Sequence, residues 1–333
     1  PSVVADGFFV LAGADYVTID GIDLQESGAN TDATTRMEFG YGLFLASATD
    51  GCQNNIIRNC TITLDRQSNA AWTAPGHNGS TGIAVLNGLH TATGAVTVTA
   101  ATGSNSNNQF RTNTIQNCNA GIVFVAYAAP SPFTLGDTNN DVGGTSPATG
   151  NIIRNFGGAT GATNPATGIF ANNQWGFNAS YNTINNNDGG GVNHVSTLRG
   201  IFLNASSTSA SANCNFNQIT LHGGGTTSQL SGIENSFGST PAGNTVNINN
   251  NSVTGDYLTA TSGAFYGIYN TATPSQVNVQ NNTVSGITYS SASLTGTGLI
   301  YPIWCSGANA STAYNIDNNT VANISRIGTT GGT

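Results

Sequence analysis

Three groups of residues in this chain carry chemistry by type and spacing. The first is the run Asp137-Thr-Asn-Asn-Asp-Val-Gly143, with oxygen-bearing side chains at Asp137, Asn139 and Asp141. Oxygen ligands at the first, third and fifth places of a loop are how calcium loops begin. The run departs from that pattern at its sixth place, where Val142 replaces glycine. It departs again at Ala148, where a bidentate Glu would stand. Calcium is the one cofactor for which the chain offers a site, and no other is expected.

The second group is the carboxylates and arginines. Glycoside hydrolysis needs two facing carboxylates, and acids are sparse here. Asp15, Asp20, Asp23, Glu26, Asp32 and Glu38 gather near the N-terminus, where a solvated face or corner hydrogen bonds account for them. Arg58 and Arg154 hold matching places in two Asn-Ile-Ile-Arg-Asn units, and Arg111 holds a similar one. Recurrence at a repeat position suits a structural role, such as pairing with neighbouring acids or covering aromatic faces. His77, His90, His194 and His222 are scattered, without the His-Glu-x-x-His spacing of a metal site. No Gly-x-Ser-x-Gly elbow occurs. The third group is aromatic: Trp72, Trp175, Tyr127 and Tyr181. On an exposed face they would stack on sugar rings; the alternative is ordinary packing of loops onto the wall of the fold.

The elements that must position these groups are repeats, the first thing to look for in a chain of this length. One unit is a short strand, an Asn step and a second short strand, as in Gln276-Val-Asn-Val-Gln-Asn-Asn-Thr-Val284. It returns around Asn54, Asn108, Asn182, Asn217, Asn250 and Asn318. The other is Gly followed by Ile or Leu, at Gly42, Gly82, Gly121, Gly168, Gly200, Gly232 and Gly267, with a degenerate copy at Pro302-Ile-Trp304. The glycines are spaced 40, 39, 47, 32, 32 and 35 residues apart. Each interval holds one Asn unit, so the two together make one coil. Near the N-terminus, Phe8-Phe-Val-Leu11 and Tyr16-Val-Thr-Ile-Asp-Gly-Ile-Asp-Leu24 read as strands, the second bent at Asp20-Gly21. Variable stretches at 64–80, 90–106 and 126–139 read as loops of the first half.

No helical period appears, and Gly and Asn would break one. Very short strands, sparse hairpin signals and an Asn at a constant step favour an all-β, right-handed parallel β-helix of about eight or nine coils. In such a stack an Asn at one corner lies over the Asn of the next coil, donating to one neighbour and accepting from the other. Asn also tolerates the left-handed backbone of a sharp corner. Inward Ile and Val would form a continuous core, each buried side chain contributing roughly 1.5–3 kcal/mol.

Composition limits the partners. The 333 residues include seven arginines and no lysine, with a net charge of −8. That excludes nucleic acid, which needs clustered cations. No run of about 18 apolar residues is present to span a membrane. With hydrophobic residues at 38% the chain is not disordered. Five cysteines, Cys52, Cys60, Cys118, Cys214 and Cys305, form no Cys-x-x-Cys pair. Cys52 and Cys60 are close enough to pair within one coil; buried free thiols are the favoured reading.

Asn140-Asp-Val-Gly-Gly-Thr-Ser-Pro-Ala-Thr-Gly-Asn-Ile-Ile-Arg-Asn155 resembles the Gly-Gly-Thr…Gly-Asn-x-Ile repeat of right-handed parallel β-helix proteins. The succession of Gly-Ile-Phe and Asn-Asn-Thr-Val units is similar to secreted and cell-surface proteins of Bacteroidota built on the pectin-lyase-like superfold. The resemblance implies an extracellular chain, here a single β-helix domain read as a fragment of a longer secreted protein. It implies little about activity, because that fold carries lyases, hydrolases, adhesins and passive stalks. Polygalacturonases of this fold share an Asp-Asp pair and a Lys-bearing element. Both are missing here, and Gly76-His77-Asn78 and Arg326-Ile-Gly328 are partial echoes. The expectation is a non-enzymatic structural or adhesive segment contacting glycans, cell-surface components or, through the free strand edges of its end coils, other copies of itself. The alternative is a polysaccharide lyase or glycoside hydrolase acting in a groove on one face.

Overall fold

The computed structural model describes residues 6–32, 35–66, 79–92, 94–158, 165–204, 208–291 and 298–328. Three parallel nine-stranded sheets run side by side, and every coil contributes one strand to each. The first rung is Gly7–Ala12, Thr18–Asp20 and Leu24–Gln25; the last is Ile300–Cys305, Ala313–Asp317 and Thr320–Gly328. Two single 3-10 turns, Ala101–Gly103 and Pro147–Thr149, are the helical elements among the described residues. The fold is the parallel β-helix that the repeats imply, with nine rungs. Among the described residues no helix is long and apolar enough to cross a membrane.

The core is stacked by residue type. Ile83, Ile122, Ile169, Ile201, Ile233 and Ile268 lie in one register column of the first sheet. Ile62, Ile115, Ile153, Ile184, Ile219 and Val253 do the same in the third. All are buried. At the last rung this lining comes to the surface. Ile316 and Val321 are about half exposed, while Val279 and Val284, one rung below, are fully buried.

The corner between the second and third sheets is held by a ladder of seven buried or half-buried amides: Asn113, Asn151, Asn182, Asn217, Asn251, Asn282 and Asn319. Asn217 shows the unit. Its Nδ2 donates to Asn251 Oδ1 at 3.0 Å and to the Ala179 carbonyl at 2.8 Å, and its backbone N–H donates to the same Oδ1 at 2.9 Å. Its own Oδ1 accepts the side-chain and backbone protons of Asn182. Each amide thus satisfies itself and one backbone group on either side. At six of the seven ladder positions the preceding residue takes the left-handed turn, with φ between 54° and 63° at Thr112, Tyr181, Phe216, Asn250, Asn281 and Asn318, while Gly150 before Asn151 is extended. In the Asn-Asn doublets the two residues therefore do different jobs: the first turns the chain and the second bonds. A shorter ladder, Asn55–Asn108–Asn140–Gln174, closes the corner between the first and second sheets.

The glycine column has a steric cause. A Cβ on Gly232 would lie 2.5 Å from both the Gly267 carbonyl oxygen and Val253 Cγ1; one on Gly200 would meet Gly232 and Ile219 in the same way. The first and third sheets approach too closely there for any side chain. The register also corrects the sequence alignment of the second rung. Tyr41 pairs with Ile83, so Gly40, not Gly42, is the copy in line with Gly82.

Two outcomes follow. Asn217→Ala strands the protons of Asn182 in the interior and is expected to cost about 3 kcal/mol or more in chemical denaturation. Asn213→Ala, exposed on the same coil, should stay within about 0.5 kcal/mol. Gly232→Ala is expected to cost about 1–3 kcal/mol by overpacking, whereas Gly28→Ala, with open space around it, should leave the midpoint unchanged.

Candidate functional site

Strand periodicity places residues i and i+3 on opposite faces. The first sheet breaks that rule at the glycine column, where the pairing between rungs skips one position in each strand. As a result the residues flanking each Gly-Ile step share the outward face. Tyr266 and Tyr269 stack at 4.4 Å with planes 15° apart, and Tyr301 and Trp304 meet edge to face at 4.1 Å. Arg199 lies 4.1 Å above the ring of Phe202.

Two outward columns follow from this. Arg199, Ser231, Tyr266 and Tyr301 are in register on successive rungs, and beside them run Phe202, Glu234, Tyr269 and Trp304. Toward the N-terminus the first column holds Thr81, Ala120 and Thr167 and the second Ala84, Val123 and Phe170, all buried. From Phe202 onward the face opens in part: Phe202, Tyr269, Tyr301 and Trp304 are half-buried, while Ser231, Glu234 and Tyr266 stay buried. Tyr266 sits at the centre, touching Tyr269, Tyr301 and Trp304. Burial raises its phenol above the usual range, with smaller contributions from Tyr269, Tyr301 and Glu234. The polar part of the face is one ion pair. Arg199 Nε donates to Glu234 Oε2 at 2.6 Å, and Gln229 Nε2 donates to the same oxygen at 2.9 Å. The site is therefore a platform of four ring-bearing residues on two rungs, next to a self-neutralised charge pair and a carboxamide. Rings of this kind offer large apolar area with a polar edge.

The residues singled out from sequence are placed elsewhere and apart from one another. Trp72 lies outside the described residues, as does Gly76-His77-Asn78. Trp175 stacks on Phe133 at 5.4 Å and packs against the core from a separate two-stranded sheet, Asp137–Thr138 with Gln174–Trp175. Tyr181 lies flat on Phe216 at 4.7 Å, at the corner between the second and third sheets. Tyr127 is half-buried just beyond the first-sheet strand Ala120–Val125. The platform itself was missed, although aligning the coils on Gly-Ile lines up Phe170, Phe202, Tyr269 and Trp304.

Asp137, Asn139 and Asp141 each bond to different partners. Asp137 is fully buried in the corner ladder, accepting from the Asn105 backbone N–H at 2.9 Å and from Gln174 Nε2 at 3.3 Å. Asn139 makes the left-handed turn and donates to Asn107 Oδ1. Asp141 pairs with Arg111 at 2.6 Å and accepts from Asn178. Among the described residues no three His, Cys, Asp or Glu side chains group as a metal site would require. Arg58 and Arg154 pair with Asp20 and Asp188, the structural use that their repeat positions imply. The five cysteines are free thiols, and burial pushes Cys118 up to about 12 and Cys52 up to about 11. No family model, curated protein or solved structure matches the chain.

Asp137 gives the shorter corner ladder a pH signature. Burial lifts its carboxyl to about 7 against the two hydrogen bonds it accepts. The fold favours the protonated form, so this stability is fully present below about pH 4 and is lost as pH rises through about 7. Melting followed from pH 4 to pH 8 is expected to show a decline on the order of 3–4 kcal/mol, and Asp137→Asn should flatten it.

Proposed function

We propose that this chain is a non-enzymatic, extracellular β-helix segment of a cell-surface protein that adheres to glycans through the aromatic platform of its first sheet. The observation that carries the reading is the Tyr266–Tyr269–Tyr301–Trp304 cluster, four rings joined through Tyr266 and Trp304 on an outward face. Aromatic residues of this type anchor interfaces because their faces shed water cheaply while their edges still hydrogen-bond. The ladder beneath supports the structural half of the proposal. It holds the platform's rungs at fixed spacing with few ionic bonds, so salt has little grip on the scaffold.

A lyase or hydrolase on this face would need a second acid or a free base near Glu234. The register neighbours of Glu234 on the two adjacent rungs are Phe202 and Tyr269, and its own charge is taken up by Arg199. That arrangement supports binding over cleavage.

The test is co-sedimentation with insoluble polysaccharides, with the supernatant assayed for released sugar. Retention without release is expected, and Trp304→Ala should weaken it about tenfold or more. Release of reducing ends or unsaturated products that Glu234→Gln abolishes would instead establish the enzyme alternative.

A further inference from the structure

We infer that Arg58 and Arg111 form an oxyanion-binding site on the second sheet, apart from the aromatic platform, that takes the carboxylate or sulfate of an acidic ligand. The two arginines are direct register partners on successive rungs, in the strands Ile56–Arg58 and Gln109–Arg111. Adjacent parallel strands lie about 4.8 Å apart, and like charges placed opposite each other weaken a sheet pair. Among the described strands no other two arginines are register partners. Each guanidinium is held by an acid. Arg58 Nε and Nη2 bond Asp20 Oδ2, at 2.9 and 2.8 Å, from the rung before. Arg111 Nε and Nη2 bond Asp141 Oδ2, at 3.2 and 2.6 Å, from the rung after. The acids thus flank the pair and leave two cations adjacent at its centre.

What remains between the acids is donors. Nη1 of each guanidinium makes no hydrogen bond or ion pair among the described residues, and neither does the side-chain amide of Gln109, two residues before Arg111. The Arg58 and Arg111 side chains are 47% and 32% exposed, so both are open to a ligand. The carboxylates are occupied. Asp20 also accepts from Asn59 Nδ2 at 2.7 Å, and Asp141 accepts from the Gly144 N–H and from Asn178 Nδ2. These bonds fix the acids, and through them the guanidiniums, before a ligand arrives. An oxyanion set between the two forks turns their repulsion into charge-assisted hydrogen bonds, the recognition that guanidinium geometry favours. The whole chain carries −8, which repels anions at long range, so binding here is local. The same chemistry has two sources, the acidic group of a saccharide or a free ion.

The experiment is calorimetric titration at low ionic strength with sodium sulfate, galacturonate, tetragalacturonate and, as the neutral control, galactose. Saturable binding of sulfate or galacturonate is expected, absent for galactose and weakened as NaCl is added. Arg58→Gln and Arg111→Gln should each weaken it about tenfold or more. The double variant should lose little beyond either single one, because both forks act on one anion. Arg154→Gln, which removes a guanidinium paired with Asp188 from the third sheet, should change nothing. Circular dichroism checks that the variants fold; Arg58→Lys and Arg111→Lys, which keep the charge and lose the fork, should still weaken binding. Tetragalacturonate bound more tightly than galacturonate assigns an acidic glycan as the source, and equal affinity assigns the free ion. No saturable binding of either anion, or binding that survives both glutamine substitutions, would overturn the site. Trp304→Ala should leave anion binding intact, so failure here and failure of the platform are read separately.

Discussion

A neutral amide buried at a chain corner must find partners for two protons and a carbonyl oxygen, and the rest of this structure depends on how that demand is met. One Asn alone would leave orphaned groups, each costing about 1–3 kcal/mol. Stacked from Asn113 to Asn319, the amides satisfy one another and the backbone beside them. The arrangement works only if every coil places the same residue at the same height. The ladder therefore fixes the register of the second and third sheets, and through the short loops that of the first. It also explains the composition. A chain held by amides and an aliphatic core has little use for surface charge, and arginines such as Arg58 and Arg111 find acids on neighbouring rungs.

Fixed register turns scattered residues into columns. Residues about 35 positions apart become neighbours, so the sequence writes its surface in stripes. One stripe on the second sheet is a chain of outward amides, Asn213, Asn247, Asn278 and Asn315, each donating to the one before. Another, on the first sheet, is aromatic. Its breadth comes from the glycine column, where close approach of the first and third sheets excludes a side chain and the pairing skips a position. Without that step Tyr266 and Tyr269 would face opposite ways and no platform would form.

Much of the fold was legible in the sequence because the ladder is periodic and its residue type is unusual. The Asn steps, the bend at Asp20-Gly21 and the Gly-Ile steps from Gly82 onward occur where the repeats place them. The second rung was read two residues late because Gly42-Leu43 satisfies the pattern while Gly40-Tyr41, the copy in register, carries Tyr41 in place of Ile, and only the pairing of Tyr41 with Ile83 reveals it. The platform was not legible for a different reason. A period of two splits its residues between faces, and the irregular step that reunites them comes from packing between sheets. Single aromatics such as Trp175 and Tyr181 stood out by type, yet the first is taken up by Phe133 and the core, and the second by Phe216.

Scaffold and surface thus divide the work. The interior amides and aliphatic columns hold a straight, weakly charged stack. The outward stripe from Phe202 to Trp304 gathers aromatic rings beside one ion pair, and the proposed recognition rests on it. The most direct test of that division is a ring-resolved NMR titration of the protein with a neutral tetrasaccharide. The expected result is that the signals of Tyr269, Tyr301 and Trp304 move together while those of Trp175 and Tyr181 stay fixed. Movement of Trp175 or Tyr181 with Trp304 unchanged would place recognition elsewhere on the solenoid and contradict the account.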